Sequence, residues 1–175
     1  MPSREEAIGL LEAVGTPNHV IEHCINVTSI ALRLGSQLKF RGHKVNMRLV
    51  EAGALLHDIG RSQTHEVNHA VVGAEILREM GMREDLVLIV ERHIGAGIPE
   101  DEAAELGLPE KHYLPESLEE KIVAYADKLI SGRREVPIEV TINDFAMKLG
   151  EDHLSIDRLW TLHYEMTDLL EGKED

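Results

Sequence analysis

Six residues spread along the chain have types and positions suited to metal binding: His23, His57, Asp58, His69, His93 and Asp127. His23 lies within an apolar helical stripe, about 60° from Val20 at ~100° per residue, so its imidazole should point into the core. His57 and Asp58 follow an apolar run, and Asp127 lies on a helix that is apolar on two sides. Aspartate is almost never fully buried without a partner. A bound divalent ion would supply the largest local positive charge to compensate it.

A single histidine in an apolar stripe is more typical of a hydrogen-bonded core residue than of a ligand. Four histidines and two aspartates together are enough to hold one or two metal ions with open positions for water. Imidazole nitrogens mixed with carboxylate oxygens favour iron, manganese, zinc or nickel over calcium. Two ions about 3.5 to 4 Å apart are typical of sites that catalyse in-line displacement at phosphorus. The sequence therefore predicts a divalent transition-metal cofactor and phosphoester chemistry.

The order of these residues resembles the signature of the HD-domain superfamily of metal-dependent phosphohydrolases. His57-Asp58-Ile59-Gly60 resembles the fuller form of its HDIG subgroup, and His69 and His93 resemble the extra ligands of two-metal members. The series is also similar in order and spacing to the cyclic-dinucleotide phosphodiesterase branch. It departs from that branch at Ile98, where tyrosine is expected, and at His19, which stands in the place of an acidic ligand. The resemblance covers about residues 16–131.

The resemblance implies a role for each predicted site residue. The first metal would be held by His23, His57, Asp58 and Asp127. His69 and His93 would hold a second metal, with Asp58 bridging the two and also orienting or deprotonating the attacking water. The implied reaction is attack of metal-bound hydroxide on phosphorus in a small phosphorylated metabolite or nucleotide. The resemblance implies that the substrate would be a monoester, a diester or a cyclic phosphate.

Two basic residues near the signature have alternative interpretations. Arg61 stands where relatives place a basic residue facing substrate phosphate, a task that suits the guanidinium fork. It could equally be a solvated cation at a helix C-terminus. Lys128 follows the last predicted ligand, and either contacts phosphate or lies at the surface with its stem along apolar residues.

Three other functions are compatible with parts of the pattern. His65-Glu66-Val67-Asn68-His69 matches the zinc-peptidase pattern H-E-x-x-H, with Glu91 as a third ligand. That interpretation leaves His23 and Asp127 without a role. The HD resemblance is also compatible with a non-catalytic metal- or nucleotide-binding module and with a di-iron oxygenase on the same scaffold. His65 either lines the cleft above the metals or faces water, and the remaining histidines are interpreted as surface or structural residues: His43, His112, His153 and His163.

Helical patterns follow one another along the chain and must position these side chains. Ser3 and Glu6 form a capping-box pattern. Thr16 is a candidate N-cap with Pro17 in the first helical position, Asn46 can cap a third helix, and Gly60 suits a left-handed C-terminal cap. Further helices are predicted over about 66–80, 85–93, 115–130, 141–149 and 155–170, with an irregular segment between Pro99 and Pro115. We expect an all-α fold, a single-domain helical bundle over residues 1–175, in which the helices of 132–170 pack on the same core.

Composition excludes several functional classes. The chain has 175 residues and a formal net charge of −14, with only six aromatic residues, Phe, Tyr and Trp together. Such a chain lacks both the positive field and the stacking surface for bulk nucleic-acid binding. Cys24 is its single cysteine, which excludes an intramolecular disulfide. The sequence shows no signal-peptide pattern and no span of ~20 apolar residues, so we expect a cytoplasmic protein without a membrane partner.

Overall fold

The computed structural model describes residues 1–172, so residues 173–175 of the predicted domain lie outside the described residues. Nine α-helices, one 3-10 helix and one β-hairpin make up this part of the chain: α1 (Arg4–Ala13), α2 (Asn18–Phe40), α3 (Met47–Leu56), the 3-10 helix (Ile59–Ser62), α4 (His69–Glu79), α5 (Glu84–Glu91), α6 (Glu100–Glu105), α7 (Leu118–Lys128), β1 (Ile130–Ser131), β2 (Arg134–Glu135), α8 (Ile138–Leu149) and α9 (Leu154–Glu171). The all-α prediction is confirmed, and the two short strands are an addition to it.

Helices α2, α3 and α7 form the centre of the bundle. The apolar stripe of α2 packs chiefly against α3 and α7, and its residues Cys24, Val27 and Leu38 are fully buried. Every residue of α7 from Ile122 to Ala126 is buried, as expected for a helix that is apolar on two sides. Burial of these faces fixes the two helices that carry His23 and Asp127.

The two C-terminal helices contribute to the same hydrophobic core. Ile138 and Ile142 of α8, and Leu159 and Met166 of α9, belong to the cluster that includes the central helices. Helix α9 contacts both α7 and α8. No helix within residues 1–172 is both long and apolar enough to cross a membrane.

The 3-10 helix after α3 packs very closely against the start of α4. A Cβ atom on Gly60 would lie 1.9 Å from the His69 carbonyl oxygen and 2.6 Å from the Gly73 nitrogen. Gly60 does not have a positive φ, so the predicted left-handed cap is wrong. Glycine is needed here because the backbones approach each other, not because of its conformational freedom.

Several predicted boundaries differ from the structure. Pro17 is the N-cap of α2, because the backbone N–H of Thr16 donates to the Leu11 carbonyl and ends α1 instead. Helix α4 begins at His69 rather than near residue 66, because the segment before it forms a turn in which Thr64 Oγ1 accepts from the Glu66 amide. The segment predicted to be irregular contains α6, whose Ala103 packs in a second small apolar cluster with Ile98, Leu108 and Tyr113.

Candidate metal centre

Five different elements place the six predicted residues around one point. His23 lies in α2, His57 and Asp58 directly follow α3, His69 is the first residue of α4, His93 lies two residues after α5, and Asp127 is the penultimate residue of α7. His57, Asp58, His69 and His93 are buried in the bundle. The structure therefore brings the whole predicted set together, while its role in metal binding stays a prediction.

One half of the centre contains His23, His57, Asp58 and Asp127. Asp127 Oδ1 lies 2.9 Å from His23 Nε2 and 3.6 Å from His57 Nε2. Asp58 Oδ2 lies 3.9 Å and 3.7 Å from the same two nitrogens. His23, His57 and Asp58 could hold one ion between them.

The other half contains Asp58, His69 and His93. Asp58 Oδ1 lies 3.1 Å from His69 Nε2 and 3.4 Å from His93 Nε2, and these three residues form a second group that could hold an ion. The two carboxylate oxygens of Asp58 thus face different halves of the centre. This is the arrangement that a bridging carboxylate requires.

Three backbone hydrogen bonds fix the orientation of the buried imidazoles. The Nδ1–H groups of His57, His69 and His93 each donate to a carbonyl three residues earlier, at 2.8, 2.7 and 2.7 Å. A carbonyl can only accept, so each neutral ring is held in the tautomer whose Nε2 lone pair is free. Such outer partners orient metal-ligating histidines and increase their basicity.

Two inner atoms of the centre have no hydrogen-bond partner among the described residues. His69 Nε2 and His93 Nε2 lie 3.1 Å apart, and two lone pairs at that distance repel unless a proton or a metal ion lies between them. His57 Nε2 and Asp58 Oδ1 are buried, and neither has a hydrogen-bond partner among the described residues. Buried polar atoms of this kind need an explanation such as an ion. A mixed imidazole and carboxylate donor set fits a divalent transition metal.

The charges on the two carboxylates also fit cation binding. Burial raises the pKa of Asp58, but the surrounding rings, His57 foremost, lower it by more, so its pKa lies well below the ordinary value. Burial likewise raises the pKa of Asp127, and the Lys128 ammonium together with His23 and His57 lowers it well below the ordinary value. Both side chains are therefore carboxylates at neutral pH.

The pKa values of two buried imidazoles, His93 and His57, shift in opposite directions. Burial lowers the pKa of His93 to about 4, so its ring is neutral at neutral pH. Burial also lowers the pKa of His57, but Cys24 and the carboxylates of Asp58 and Asp127 raise it by more, and the net pKa lies well above the ordinary value. A proton on His57 Nε2 occupies the position that a metal ion would take, so metal binding at this atom releases a proton.

A cleft of about 450 Å³ opens above the centre, with His23 and Asp58 among its lining residues. Arg61 lines the same cleft, and its Nε donates to Asp58 Oδ2 at 2.7 Å. Arg61 is therefore not simply a solvated cation at a helix end. The guanidinium contacts Asp58 with one nitrogen and leaves further N–H groups for a ligand in the cleft.

Lys128 does not lie at the surface, and the interpretation as a surface lysine is wrong. Its side chain is 9% exposed and its ammonium contacts Asp127 Oδ2. The ammonium also lies 3.4 Å from the His93 carbonyl. Lys128 thus compensates the charge of Asp127.

The H-E-x-x-H interpretation fails on geometry. That motif needs both histidines one turn apart on a single helix, but α4 begins at His69 and leaves His65 outside it. His65 instead lines the cleft, as does His19. Glu91, the proposed third ligand, is paired with Arg78 and Lys111 at 2.9 and 2.8 Å.

Two of the remaining histidines have structural contacts. His153 is the N-cap of α9 and accepts from the Ser155 amide. His163 Nδ1 lies 2.8 Å from the Tyr125 hydroxyl. Both contacts agree with the structural role predicted for them.

Sequence reasoning missed the hairpin of β1 and β2, which places Gly132 and Arg133 in the lining of the cleft. The dipeptide Ser131-Gly132 is a turn signal. Nothing in the local sequence indicates that this turn folds back toward α2.

Comparisons with known proteins place these features in context. The HD domain family model matches residues 20–132. The chain is 52% identical over 166 residues to an uncharacterized protein of Methanocaldococcus jannaschii, covering 95% of this chain and 98% of that protein. It is 40% identical over 163 residues to a tRNA (cytidine(56)-2'-O)-methyltransferase of Thermoplasma volcanium, covering 93% of this chain and 46% of that relative, so it spans about half of the methyltransferase's length. The HD domain of the L. monocytogenes phosphodiesterase PgpH in complex with cyclic-di-AMP has a TM-score of 0.56 at 18% identity, covering 95% of this chain and 99% of that chain. This last likeness shows a common fold.

Proposed function

Because the chain belongs to the HD domain family, we propose that it is a metal-dependent phosphohydrolase that cleaves a phosphoester of a small metabolite or nucleotide. The observation that carries the proposal is Asp58, whose two oxygens each face a separate group of imidazole nitrogens. An isolated core histidine or a single structural ion would not need this double arrangement. The phosphodiesterase named among the similar structures supports a nucleotide as substrate.

The residues of the centre would hold two metal ions that take part in hydrolysis. His23, His57, Asp58 and Asp127 would hold a first ion, and Asp58, His69 and His93 a second. Divalent ions bound there supply Lewis acidity, which activates water and stabilises negative charge on the phosphoryl oxygens. During hydrolysis the water oxygen bonds to phosphorus, the ester P–O bond breaks, and the leaving oxygen takes up a proton.

Asp58 and Arg61 have the roles that the geometry supports best. The pKa of Asp58 lies well below the ordinary value, so this carboxylate suits orienting the attacking water better than accepting its proton. Arg61 reaches Asp58 with Nε, and its remaining N–H groups can donate to phosphoryl oxygens in the cleft. Removing either group should impair turnover without unfolding the bundle.

We also propose that residues 1–175 form one HD-type domain, since α8 and α9 bury side chains in the same core as the central helices. The cytoplasmic location stays a prediction. A small substrate agrees with the acidic composition, because an overall charge of −14 opposes binding of long nucleic acid.

The proposal is tested by assaying phosphate-ester cleavage after loading with Mn²⁺, Fe²⁺, Zn²⁺ or Ni²⁺ in turn. The substrates are a phosphomonoester, a phosphodiester and 2',3'- and 3',5'-cyclic nucleotides. We expect turnover on at least one class, with a loss of roughly a hundredfold or more in Asp58→Asn, the size typical of removing one group that stabilises the transition state. Asp101→Asn, which removes an exposed carboxylate on α6, is the matched control and should keep wild-type activity.

The other outcomes separate the alternative functions. Metal-loaded protein that is inert on every substrate would contradict the proposal and favour a binding module. Oxygen consumption by the iron-loaded protein would instead indicate an oxygenase on the same scaffold. Full activity in Asp58→Asn would show that the central residue has been assigned incorrectly.

A further inference from the structure

A two-residue turn carries Arg133 to the edge of the cleft. Strands β1 and β2 pair in antiparallel register, Ile130 with Glu135 and Ser131 with Arg134, which leaves Gly132 and Arg133 as the loop. Gly132 has a φ of +62°, and glycine at the first loop position is the pattern of type II′ hairpins. The turn therefore depends on Gly132 and presents the Arg133 side chain.

Contacts with α2 and α7 hold this hairpin in place. The Arg33 guanidinium of α2 donates to both oxygens of Glu135, one of these bonds being 3.1 Å long. The backbone N–H of Val136 donates to the Leu129 carbonyl at 2.8 Å. Arg133 itself lies 2.6 Å from Glu22 of α2. Strand β1 also contacts α2 and α7, and Ile130 packs against the main hydrophobic core. This packing places the hairpin beside the helix that carries His23.

The pair between Arg133 and Glu22 leaves the guanidinium free to change partners. The two side chains are 76% and 50% exposed, and exposed ion pairs contribute little stability. A phosphate group offers more charge and more acceptor oxygens than one carboxylate, and the guanidinium fork matches its geometry. A phosphate in the cleft can therefore take the place of Glu22.

The lining of the cleft favours recognition of charge over recognition of a base. Arg61 and Arg133 supply two guanidinium groups, and His19 and His65 supply imidazole nitrogens. Asp58 is the one carboxylate among the described lining residues. The apolar part of the lining comes from Val20 and Ile130, and the described lining residues include no phenylalanine, tyrosine or tryptophan. Its volume of about 450 Å³ lies in the range of pockets that hold a whole small molecule.

We propose that Arg133, presented by the hairpin, forms a second anion subsite, so that the preferred substrates carry a further phosphate group besides the one that is cleaved. This inference rests on the proposed function, since it places the cleaved phosphate at the metal centre and the second phosphate at the cleft edge. The substrate class is then a small compound with two phosphates, such as a nucleoside bisphosphate.

The neighbouring residue Arg134 provides a matched control. It is exposed, lies in β2, and is absent from the described lining of the cleft. Arg133→Gln and Arg134→Gln change the net charge equally. Any difference in ligand binding between the two variants therefore results from the position of the lost charge and not from the change in net charge.

The experiment measures binding of adenosine 3',5'-bisphosphate and adenosine 5'-monophosphate to Mn²⁺-loaded protein by calorimetry at 4 °C, with phosphate release followed in parallel. We expect wild-type protein and Arg134→Gln to bind the bisphosphate about tenfold more tightly than the monophosphate, the size of one charge-assisted contact. In Arg133→Gln the ratio of the two affinities should fall to about one. Circular dichroism should show the same helical content in all three proteins.

Equal affinity of the wild-type protein for the two probes would overturn the inference, as would equal ratios in the two variants. Neither result depends on turnover. Absence of phosphate release from every substrate would contradict the proposed function while leaving the affinity ratios, and hence the subsite, intact.

Discussion

Replacement of Gly60 by alanine tests whether close backbone packing positions the second half of the metal centre. The added Cβ would lie 1.9 Å from the His69 carbonyl oxygen and 2.6 Å from the Gly73 nitrogen. Both contacts are with backbone atoms, so no side-chain rotation can relieve them. The 3-10 helix and the start of α4 must move apart, and His69 must move with α4.

The expected loss of stability in Gly60→Ala follows from these distances. Ordinary van der Waals contact begins near 3.4 Å, so the nearer contact is short by about 1.5 Å. Overpacking of a core by a methyl group costs roughly 1 to 3 kcal/mol, and a clash with two backbone atoms belongs at the upper end. For a domain of this size about 3 kcal/mol corresponds to a fall of roughly 6 to 12 °C in the unfolding midpoint.

Thermal unfolding of metal-free Gly60→Ala is the assay, with Gly9→Ala as the control. Gly9 lies in α1 with nothing within 4 Å of an added Cβ, so alanine there should raise stability by up to about 1 kcal/mol. Metal titration of Gly60→Ala should also show weaker binding at the half of the centre that contains His69. A midpoint within about 2 °C of wild type, with unchanged metal binding, would refute the packing argument.

Three further perturbations test the charges of the centre. The pKa of His93, about 4 in the folded state against an ordinary 6.5, means that the unfolded chain takes up this proton first. The free energy of unfolding of metal-free protein should therefore fall as pH decreases from 6.5 to 4, less steeply in His93→Gln, as urea titrations at each pH would show; equal slopes would contradict this. Lys128→Met should destabilise the metal-free protein by roughly 3 kcal/mol. Added Mn²⁺ should reduce the difference in unfolding midpoint between this variant and the wild type, because a divalent ion replaces the lost charge beside Asp127. A difference that Mn²⁺ leaves unchanged would contradict this prediction. Arg61→Gln should raise KM for a cleaved phosphoester by about tenfold, and an unchanged KM would remove Arg61 from phosphate binding.

Local sequence signals were sufficient wherever one helix determines the outcome. The apolar stripe of α2 predicts the helix, and Asn46 caps α3 with its side chain as expected. The stripe also predicts that His23 points into the core, whereas its side chain is 24% exposed and lines the cleft. His23 and Asp127 could be found because histidine and aspartate are unusual on faces that are otherwise apolar, whereas the roles of His69 and His93 came from the order of residues that resembles the HD signature. Their convergence required only that these faces share one core.

Features that depend on contacts between distant segments could not be predicted in this way. Gly60 has a role only because α4 returns against it. The hairpin folds back against α2, where Arg33 pairs with Glu135, 102 residues away along the chain. Lys128 is buried because α7 is surrounded on both sides, whereas its chemistry alone favours the surface. Each case shows tertiary packing overriding a local preference.

The number of metal ions bound per chain tests the central claim most directly. Purified protein should be saturated with Mn²⁺ or Zn²⁺, freed of unbound metal and analysed by inductively coupled plasma mass spectrometry, together with His69→Gln and Asp58→Asn. The shared carboxylate predicts two ions in the wild-type chain, one in His69→Gln, and a loss at both positions in Asp58→Asn. Wild-type protein that binds no transition metal, or Asp58→Asn that retains two ions, would contradict the claim.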